Sequence, residues 1–204
     1  MYISSIFRLD NEKDKIAFMK RYSFATIITN KNGIPLATQL PFTIRDSSDK
    51  LVLTSHFALA NEQAKYIEEN ISLVIFSEPH AYISPSHYDK FESVPTWDYI
   101  AIHAYGRAKV VHEEGSKLCL LEEMIGFYEK DYKKQWEKLP ENFKQRMMKG
   151  IVAFELDVTE LQGQQKLSQN KTAEEKERII KTLESSKIGS EKELASYIRK
   201  TMAD

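Results

Sequence analysis

The sequence contains a single cysteine, Cys119, among its 204 residues. One cysteine excludes an intrachain disulfide and any metal site built from several thiolates. Because Cys119 lies in the apolar run Leu118-Cys119-Leu120-Leu121, we expect a buried and unreactive thiol.

Long apolar runs are also missing. No run reaches the ~20 residues that a transmembrane helix requires, and the first fifteen residues contain only a few apolar side chains before charges begin. We therefore expect a cytoplasmic protein that makes no membrane contact.

Neither sign of charge is in excess, since 29 basic residues stand against 30 acidic ones and the net charge is −1. No global positive field exists to attract DNA. Hydrophobic residues make up 42% of the chain and charged residues 29%, which is typical of a folded globular protein. The length favours one main domain with an appendage. We expect a domain over residues 1–165 and a C-terminal helical extension over residues 166–204 that packs on it.

Seven segments show the alternation or the short apolar runs that are typical of β-strands. They cover residues 23–30, 34–45, 51–55, 71–77, 81–84, 97–111 and 151–161. Asn32-Gly33 supplies the positive φ angles of a two-residue hairpin turn, and residues 46–49 form a turn by composition. Consecutive strands with short connections favour an antiparallel sheet that closes into a barrel. The predicted fold class is therefore α+β and mainly β.

Helices are predicted at the periphery of this sheet and at the C-terminus. Asp10 is placed to cap a first helix that ends near Tyr22. Apolar residues at three- and four-residue spacing predict one helix over residues 116–136. Two capping boxes open two terminal helices. Their members are Thr172 with Glu175 and Ser190 with Glu193.

Aromatic, histidine and hydroxyl side chains are densest in residues 79–106. From Trp97 onward the chain alternates, so Trp97, Tyr99 and His103 share one face of a strand, and the other face is largely apolar. An ordinary solvent-facing strand would carry lysine and glutamate there. We expect a ligand, a helix of the same chain or a partner subunit to cover this aromatic face.

Four segments in this order resemble the PaiB-like family of FMN-binding proteins, described as negative transcriptional regulators with a split-barrel fold. The segments are Ala37–Pro41, His56–Asn61, Pro79–Pro85 with Val94–Trp97 and His103–Gly106, and Lys166–Asn170. The resemblance implies a six- to seven-stranded antiparallel split β-barrel with peripheral helices. It also implies a homodimer that holds FMN between two barrels.

The resemblance implies a site with an apolar wall, amide groups for the flavin ring and donors for the phosphate. The ring edge would be met by Thr38, Gln39, Leu40 and Pro41. Ser55, His56 and Asn61 would lie near the phosphate at a strand-to-helix junction. The wall would comprise Tyr82, Trp97, Tyr99 and His103, and the covering segment would include Lys166, Gln169 and Asn170.

Three positions depart from the family pattern. Leu59 stands where an arginine is usual, His87 where a tryptophan is usual and Asp98 where an asparagine is usual. The missing arginine weakens phosphate binding, because a guanidinium is the best phosphate donor. A carboxylate at Asp98 would repel a phosphate unless it points away, as the alternation predicts.

No metal site and no catalytic residue is assigned. His80, His87, Asp98 and His103 lack the spacing of zinc ligands, and no nucleophile elbow surrounds Ser84 in a triad with His87 and Asp98. Three functions remain open: an FMN-binding regulatory protein, a flavin-dependent oxidoreductase, and a dimeric structural protein without its cofactor. The family description makes direct DNA binding conceivable, but the sequence contains no helix-turn-helix and no basic recognition helix.

Overall fold

A computed structural model describes residues 1–47 and 50–202, and within them seven β-strands and six α-helices alternate with short 3-10 turns. The strands are β1 (Phe24–Lys31), β2 (Ile34–Pro41), β3 (Thr43–Ser47), β4 (Lys50–Ala58), β5 (Ile71–Ile83), β6 (Thr96–Val110) and β7 (Ile151–Lys166). The helices are α1 (Glu12–Arg21), α2 (Glu114–Tyr128), α3 (Lys133–Lys138), α4 (Glu141–Lys149), α5 (Ala173–Glu184) and α6 (Gly189–Lys200). The turn predicted over residues 46–49 includes Ser48 and Asp49, which lie outside the described residues.

The strands form one antiparallel sheet in the order β2-β1-β5-β6-β7-β4-β3. β2 and β3 are therefore its two edges, so the sheet is open in the described part of the chain, and the expectation that it closes on itself is wrong. The hairpin between β1 and β2 turns at Asn32 and Gly33, whose φ angles of 52° and 88° are those of the predicted turn. Lys31 pairs with Ile34 directly beside it. The hairpin prediction and the predicted mainly β, antiparallel class are confirmed.

Contact density divides the chain into two compact units. The first unit comprises Met1–Lys15, Ser77–Ile102 and Gln162–Asp204, and the second comprises Ile16–Phe76 and His103–Leu161. β5, β6 and β7 each contribute residues to both units. The expected separation of residues 166–204 as a helical extension stays a prediction.

An aromatic cluster forms the core of the second unit. Phe57 stacks on Phe154 with ring centroids 5.0 Å apart, and Phe42 meets Phe76 and Phe154 edge-on. All four rings are fully buried. Gly106 lets β6 approach β7 closely here, because a Cβ at this position would lie 2.3 Å from the Asp157 carbonyl oxygen.

Helices α5 and α6 pack against each other in the first unit and bury Ile179, Leu183, Leu194 and Ile198. The predicted capping box at Thr172 is present, with Glu175 N–H donating to Thr172 Oγ1 over 3.2 Å and the reciprocal bond measuring 3.1 Å. The terminal helices are therefore confirmed.

Two cap predictions are wrong by one or two residues. α1 begins at Glu12, and Asn11 rather than Asp10 accepts the Lys13 N–H at 2.9 Å. α6 begins at Gly189 after Ile188, so Ser190 lies inside the first turn instead of capping it. At α1 two capping residues, Asp10 and Asn11, follow one another, and sequence alone does not select between them. At α6 the helix begins after Ile188, which makes no side-chain cap bond.

Three element boundaries also differ from the predictions. The segments 71–77 and 81–84 are one strand, β5, which continues through a cis peptide bond at Pro79. The segment 34–45 is divided at Phe42 into β2 and β3. The single helix expected over residues 116–136 is interrupted at Glu129, whose φ of −151° is not helical, although the apolar spacing continues through it.

The thiol of Cys119 is exposed, so the expectation that it is buried is wrong. Cys119 lies on α2, where Leu120 and Met124 pack against Ala153 of the sheet. Because successive residues of a helix point in different directions, Cys119 points away from that contact. None of the helices in the described part of the chain is long and apolar enough to cross a membrane.

Candidate flavin-binding site

The predicted ring-edge residues lie together on β2, at one end of the sheet order. Gln39 is exposed, and Thr38 and Pro41 are partly buried. Leu40 turns inward and is only 8% exposed. Because β2 is an edge strand, its outer backbone groups have no neighbouring strand among the described residues and can meet a ligand. Pro35 and Pro41 limit ladder extension along this edge.

A hydrogen-bond network joins β2 to the turn that follows β4. Thr38 Oγ1 donates to Gln63 Oε1 over 2.6 Å, and Asn61 Nδ2 donates to Thr38 Oγ1 over 3.0 Å. Asn61 also caps the 3-10 turn Glu62–Lys65 by accepting the Gln63 N–H at 3.0 Å. The structure thus brings the side chains of Thr38 and Asn61 into direct contact.

Gln63 is the residue that the sequence reasoning missed. Its side chain is buried, and Nε2 donates to the carbonyl oxygens of Ile27 and Leu36 at 3.1 and 3.2 Å. It therefore fixes both strands of the first hairpin and orients Thr38. No periodic signal in the sequence marks this position, because Gln63 is a buried residue within an otherwise polar turn.

Ser55 and His56 do not lie at a strand-to-helix junction, so that prediction is wrong. β4 continues to Ala58, and both residues are within it. The Ser55 hydroxyl is fully buried and donates to the Pro41 carbonyl oxygen over 2.7 Å, which holds the end of β2. His56 instead lines an apolar cavity beside α2, α3 and α4.

An exposed aromatic patch lies in the first unit. Trp97 is 55% exposed and Tyr82 is 50% exposed, and their ring centroids are 5.9 Å apart. The imidazole of His80 lies 6.1 Å from the Trp97 ring. Contiguous exposed aromatics of this kind mark a binding or association surface. We refer to His80, Tyr82 and Trp97 as the aromatic patch.

The other predicted wall residues are less exposed than Trp97. Tyr99 donates its hydroxyl to Gln164 Oε1 over 3.1 Å, within the first unit. His103 belongs to the second unit, where its ring meets Tyr105 edge-on. Burial lowers the pKa of His103, and its Nδ1 has no hydrogen-bond partner in the described part of the chain. It is therefore neutral at pH 7.

The segment from Lys166 to Asn170 is anchored in the first unit. Lys166 Nζ donates to the Trp97 carbonyl oxygen over 2.7 Å and to the Thr96 hydroxyl. The Gln169 amide bonds to its own loop, donating to the Gln165 carbonyl oxygen and accepting from the Leu167 N–H. Asn170 is exposed. Of the three predicted covering residues, Asn170 is the exposed one, and Lys166 and Gln169 are partly buried.

Asp98 points away from the aromatic face, as the alternation predicted. It is 0% exposed and shares the buried side of β6 with Ile100 and Ile102. Burial raises the pKa of its carboxyl to about 6, and the hydrogen bond from Ser168 opposes that shift. Asp98 Oδ2 accepts this bond, whereas Oδ1 has no partner among residues 1–47 and 50–202.

Leu59 occupies the position of the expected arginine and is 61% exposed. Lys65 is a cation close to Leu59 in the sequence. It ends the 3-10 turn that Asn61 caps, and it is exposed. The other lysine of this region, Lys31, is paired with Glu62 at 2.8 Å. Lys65 is thus the cation of this turn that a phosphate could use.

The donor set of the second unit suits a flavin nucleotide: an exposed amide, an open strand edge, a capping asparagine and a lysine. The family model described as "Putative FMN-binding domain" matches residues 1–160 of this chain. The chain belongs to this family. FMN is the cofactor for which the family is named, and the predicted cofactor and family are confirmed at this level.

Individual proteins are also similar to this chain. The chain is 37% identical over 204 residues to "Protease synthase and sporulation protein PAI 2" of Bacillus subtilis strain 168, covering 97% of this chain and 96% of that protein. The flavocytochrome Anf3 of Azotobacter vinelandii matches with a TM-score of 0.61 and 18% identity, covering 78% of this chain and 69% of the other. The FAD and heme binding protein of Mycobacterium smegmatis matches with a TM-score of 0.60 and 11% identity, covering 78% and 73%. These two structures share the fold, which confirms the predicted split barrel.

Within the described residues, no group of three or more histidine, cysteine, aspartate or glutamate side chains is placed to hold a metal ion.

Proposed function

We propose that the protein is a cytoplasmic, FMN-binding homodimer that acts as a regulatory protein without contacting DNA itself. The observation that carries the proposal is the open edge of β2 joined to Asn61 through Thr38, within the residues that match the FMN-binding family. When bound, FMN would supply a redox-active ring that accepts electrons or hydride.

The flavin ring would lie along β2. Its heteroatoms need hydrogen-bonding groups, and the edge backbone and the Gln39 amide provide them without loss of any sheet pairing. Gln63 would keep Thr38 fixed in its rotamer, because Thr38 donates to a side chain that is itself held by two carbonyl oxygens. A fixed ring edge favours binding because little conformational freedom is lost.

The phosphate would be held at the turn after β4. Asn61 and Lys65 belong to one short turn, and Lys65 supplies the positive charge that Leu59 does not. A lone ammonium binds a phosphate less specifically than the fork of an arginine. We therefore expect FMN affinity to be lower than in a relative that has arginine at this position.

A second copy of the chain would complete the site. The aromatic patch of one protomer, Tyr82 and Trp97 with His80, would cover the flavin bound on β2 of the other. Exposure of two large aromatic rings to water is unfavourable in free energy, and burial of the rings in a symmetric dimer would remove that unfavourable exposure. Tyr99 is two residues from Trp97 and Lys166 donates to the Trp97 carbonyl oxygen, so both would border the same surface, and the exposed Asn170 would lie in the covering segment that Lys166 begins.

The regulatory role is supported by the relative named for protease synthesis and sporulation. Regulation through a metabolite or a partner protein suits this chain better than DNA contact, because its net charge is −1.

One purification experiment tests flavin binding and assembly together. The chain is mixed with FMN, passed through gel filtration, and followed by its visible flavin absorption and its mass by light scattering. We expect flavin to elute with a particle of twice the chain mass. Flavin that elutes only as free nucleotide, or a flavin-bound monomer, contradicts the proposal.

A second experiment separates the regulatory role from alternatives. The FMN-loaded protein is assayed for NADH and NADPH oxidation with several electron acceptors and for retardation of a promoter DNA fragment at low salt. We expect no sustained turnover and no retardation. Steady turnover would favour an oxidoreductase, and retardation that weakens with salt would establish direct DNA binding.

A further inference from the structure

A cavity of about 420 Å³ lies in the second unit, between α2, α3, α4 and the strands β4 and β7. Its wall includes Met124, Ile125, Tyr132 and Trp136 on one side and His56 on the other. Its size falls in the range of about 300–1,000 Å³ that is typical of small-molecule pockets. It is distinct from the β2 edge and the turn at Asn61, which do not line it.

Two aromatic residues of the wall, Trp136 and Tyr128, satisfy their polar atoms outside the cavity. Trp136 Nε1 donates to Glu122 Oε1 over 3.2 Å. The Tyr128 hydroxyl bonds to Ser23 Oγ and to the Phe42 carbonyl oxygen at 2.8 and 3.0 Å. The rings of both residues therefore line the cavity without needing hydrogen bonds from its contents. Such a wall favours a flat aromatic molecule.

His56 is the polar group that the sheet contributes to the cavity. Its Nδ1 is buried and has no hydrogen-bond partner in the described part of the chain. Burial lowers the pKa of His56, so the ring is neutral at pH 7. A neutral imidazole carries one donor and one acceptor. The ring therefore has unused hydrogen-bonding capacity for a ligand.

The charge of the lining excludes an anion. Glu129 is an exposed carboxylate on the wall, and no lysine or arginine is among the described residues that form it. An anionic group would be taken from water, repelled by Glu129 and left without a cation. The phosphate of FMN is excluded by the same reasoning.

From these observations we propose that the cavity binds an uncharged aromatic small molecule with one hydrogen-bonding group, which pairs with His56 while its ring packs against Trp136 and Tyr132. This is a second ligand site, separate from the flavin site.

The proposal is tested by calorimetric titration of the full chain with three probes of one shape: naphthol, naphthalene and naphthoate. We expect naphthol to bind once per chain. Naphthalene, which lacks the hydroxyl, should bind about 2- to 10-fold more weakly. Naphthoate should bind at least about 10-fold more weakly than naphthol, since its charge has no partner. Equal binding of naphthoate and naphthol, or no binding of naphthol, overturns the proposal.

Substitutions test whether naphthol binds in the cavity. Ile125→Trp fills the cavity and should abolish naphthol binding, whereas Leu118→Trp, at a residue of α2 that does not line the cavity, should leave it unchanged. His56→Phe keeps the ring but removes the nitrogen atoms, so naphthol should bind it no better than naphthalene does. Because Ile125→Trp can fail to fold, a cooperative thermal transition is required of it, and His56→Phe decides if it has none. Unchanged naphthol affinity in His56→Phe contradicts the proposed pairing.

A final arm separates this site from the flavin site. Saturating FMN should not displace naphthol. Displacement would mean that naphthol occupies the flavin site and would overturn the proposal. Since naphthol is also titrated without FMN, a failure of flavin binding and a failure of this site give different results.

Discussion

Ser168 donates its hydroxyl to the buried carboxyl group of Asp98 over 2.6 Å. Ser168 has a left-handed backbone with φ of 54°, and both side chains are shielded from water. This bond connects β6 to the loop after β7 within the first unit. It leaves Asp98 Oδ1 without a partner among the described residues, so the ionised form is poorly stabilised.

The stability of the chain should consequently depend on pH through Asp98. The pKa of Asp98 is raised from 3.8 to about 6 in the folded state. The neutral carboxyl therefore stabilises the folded chain fully below pH 3.8, and this contribution to the free energy of unfolding is lost as pH rises through about 6. Asp98→Asn cannot ionise and should be more stable than the natural chain at pH 8 by up to about 3 kcal/mol. The free energies of unfolding of the two chains should become equal near pH 4. Urea unfolding at both pH values measures this difference, and an Asn variant that loses stability at pH 8 would contradict the account.

Gln63 should be essential to the first hairpin. Gln63→Leu would leave the carbonyl oxygens of Ile27 and Leu36 and the hydroxyl of Thr38 without their buried partner. We expect a loss of about 2–4 kcal/mol in the free energy of unfolding. Gln135→Leu, at an exposed position of α3, is the matched control and should change it by less than about 0.5 kcal/mol. Equal effects of the two variants would show that the network contributes little.

Restoring a guanidinium should strengthen flavin binding. Leu59 is 61% exposed, so Leu59→Arg should cost little packing. A charge-assisted bond to phosphate is expected to raise FMN affinity about 10- to 100-fold. Ile188→Arg adds the same charge at an exposed position between α5 and α6 and should leave the affinity unchanged. Riboflavin, which lacks the phosphate, should bind the natural chain and Leu59→Arg equally; a gain for riboflavin too would contradict a phosphate contact.

Sharing of the site between protomers can be tested by mixing variants. Trp97→Ala removes the largest ring of the aromatic patch and Asn61→Ala removes the cap of the phosphate turn, so each homodimer should bind FMN weakly. If the two halves come from different protomers, co-refolding equal amounts should restore roughly a quarter of the sites, one in each heterodimer. No recovery, from variants that each elute as dimers, would place both halves of the site in one chain.

Much of the fold was predictable because local signals were strong. The Asn32-Gly33 turn, the alternation along β6 and the Thr172 capping box each specify their structure within a few residues. Boundaries were less predictable, because Pro79 lies inside a continuous strand and Glu129 interrupts a continuous apolar pattern.

The candidate site was only partly predictable for a different reason. Thr38 and Asn61 were identified through the family resemblance, and the structure joins them. Gln63 was missed because a buried glutamine in an otherwise polar turn has no periodic signal. His56 was assigned to the phosphate because the strand end was placed too early, and it lies instead on the wall of an apolar cavity.

The account rests on flavin binding at β2 and the turn that Asn61 caps. Equilibrium dialysis with FMN compares the natural chain with Asn61→Ala and with Asn70→Ala, an exposed control, after circular dichroism has established that all three are folded. We predict that the natural chain and Asn70→Ala bind FMN with the same affinity and that Asn61→Ala binds it at least about 10-fold more weakly. Absence of FMN binding by the natural chain, or equal binding by all three, would contradict the account.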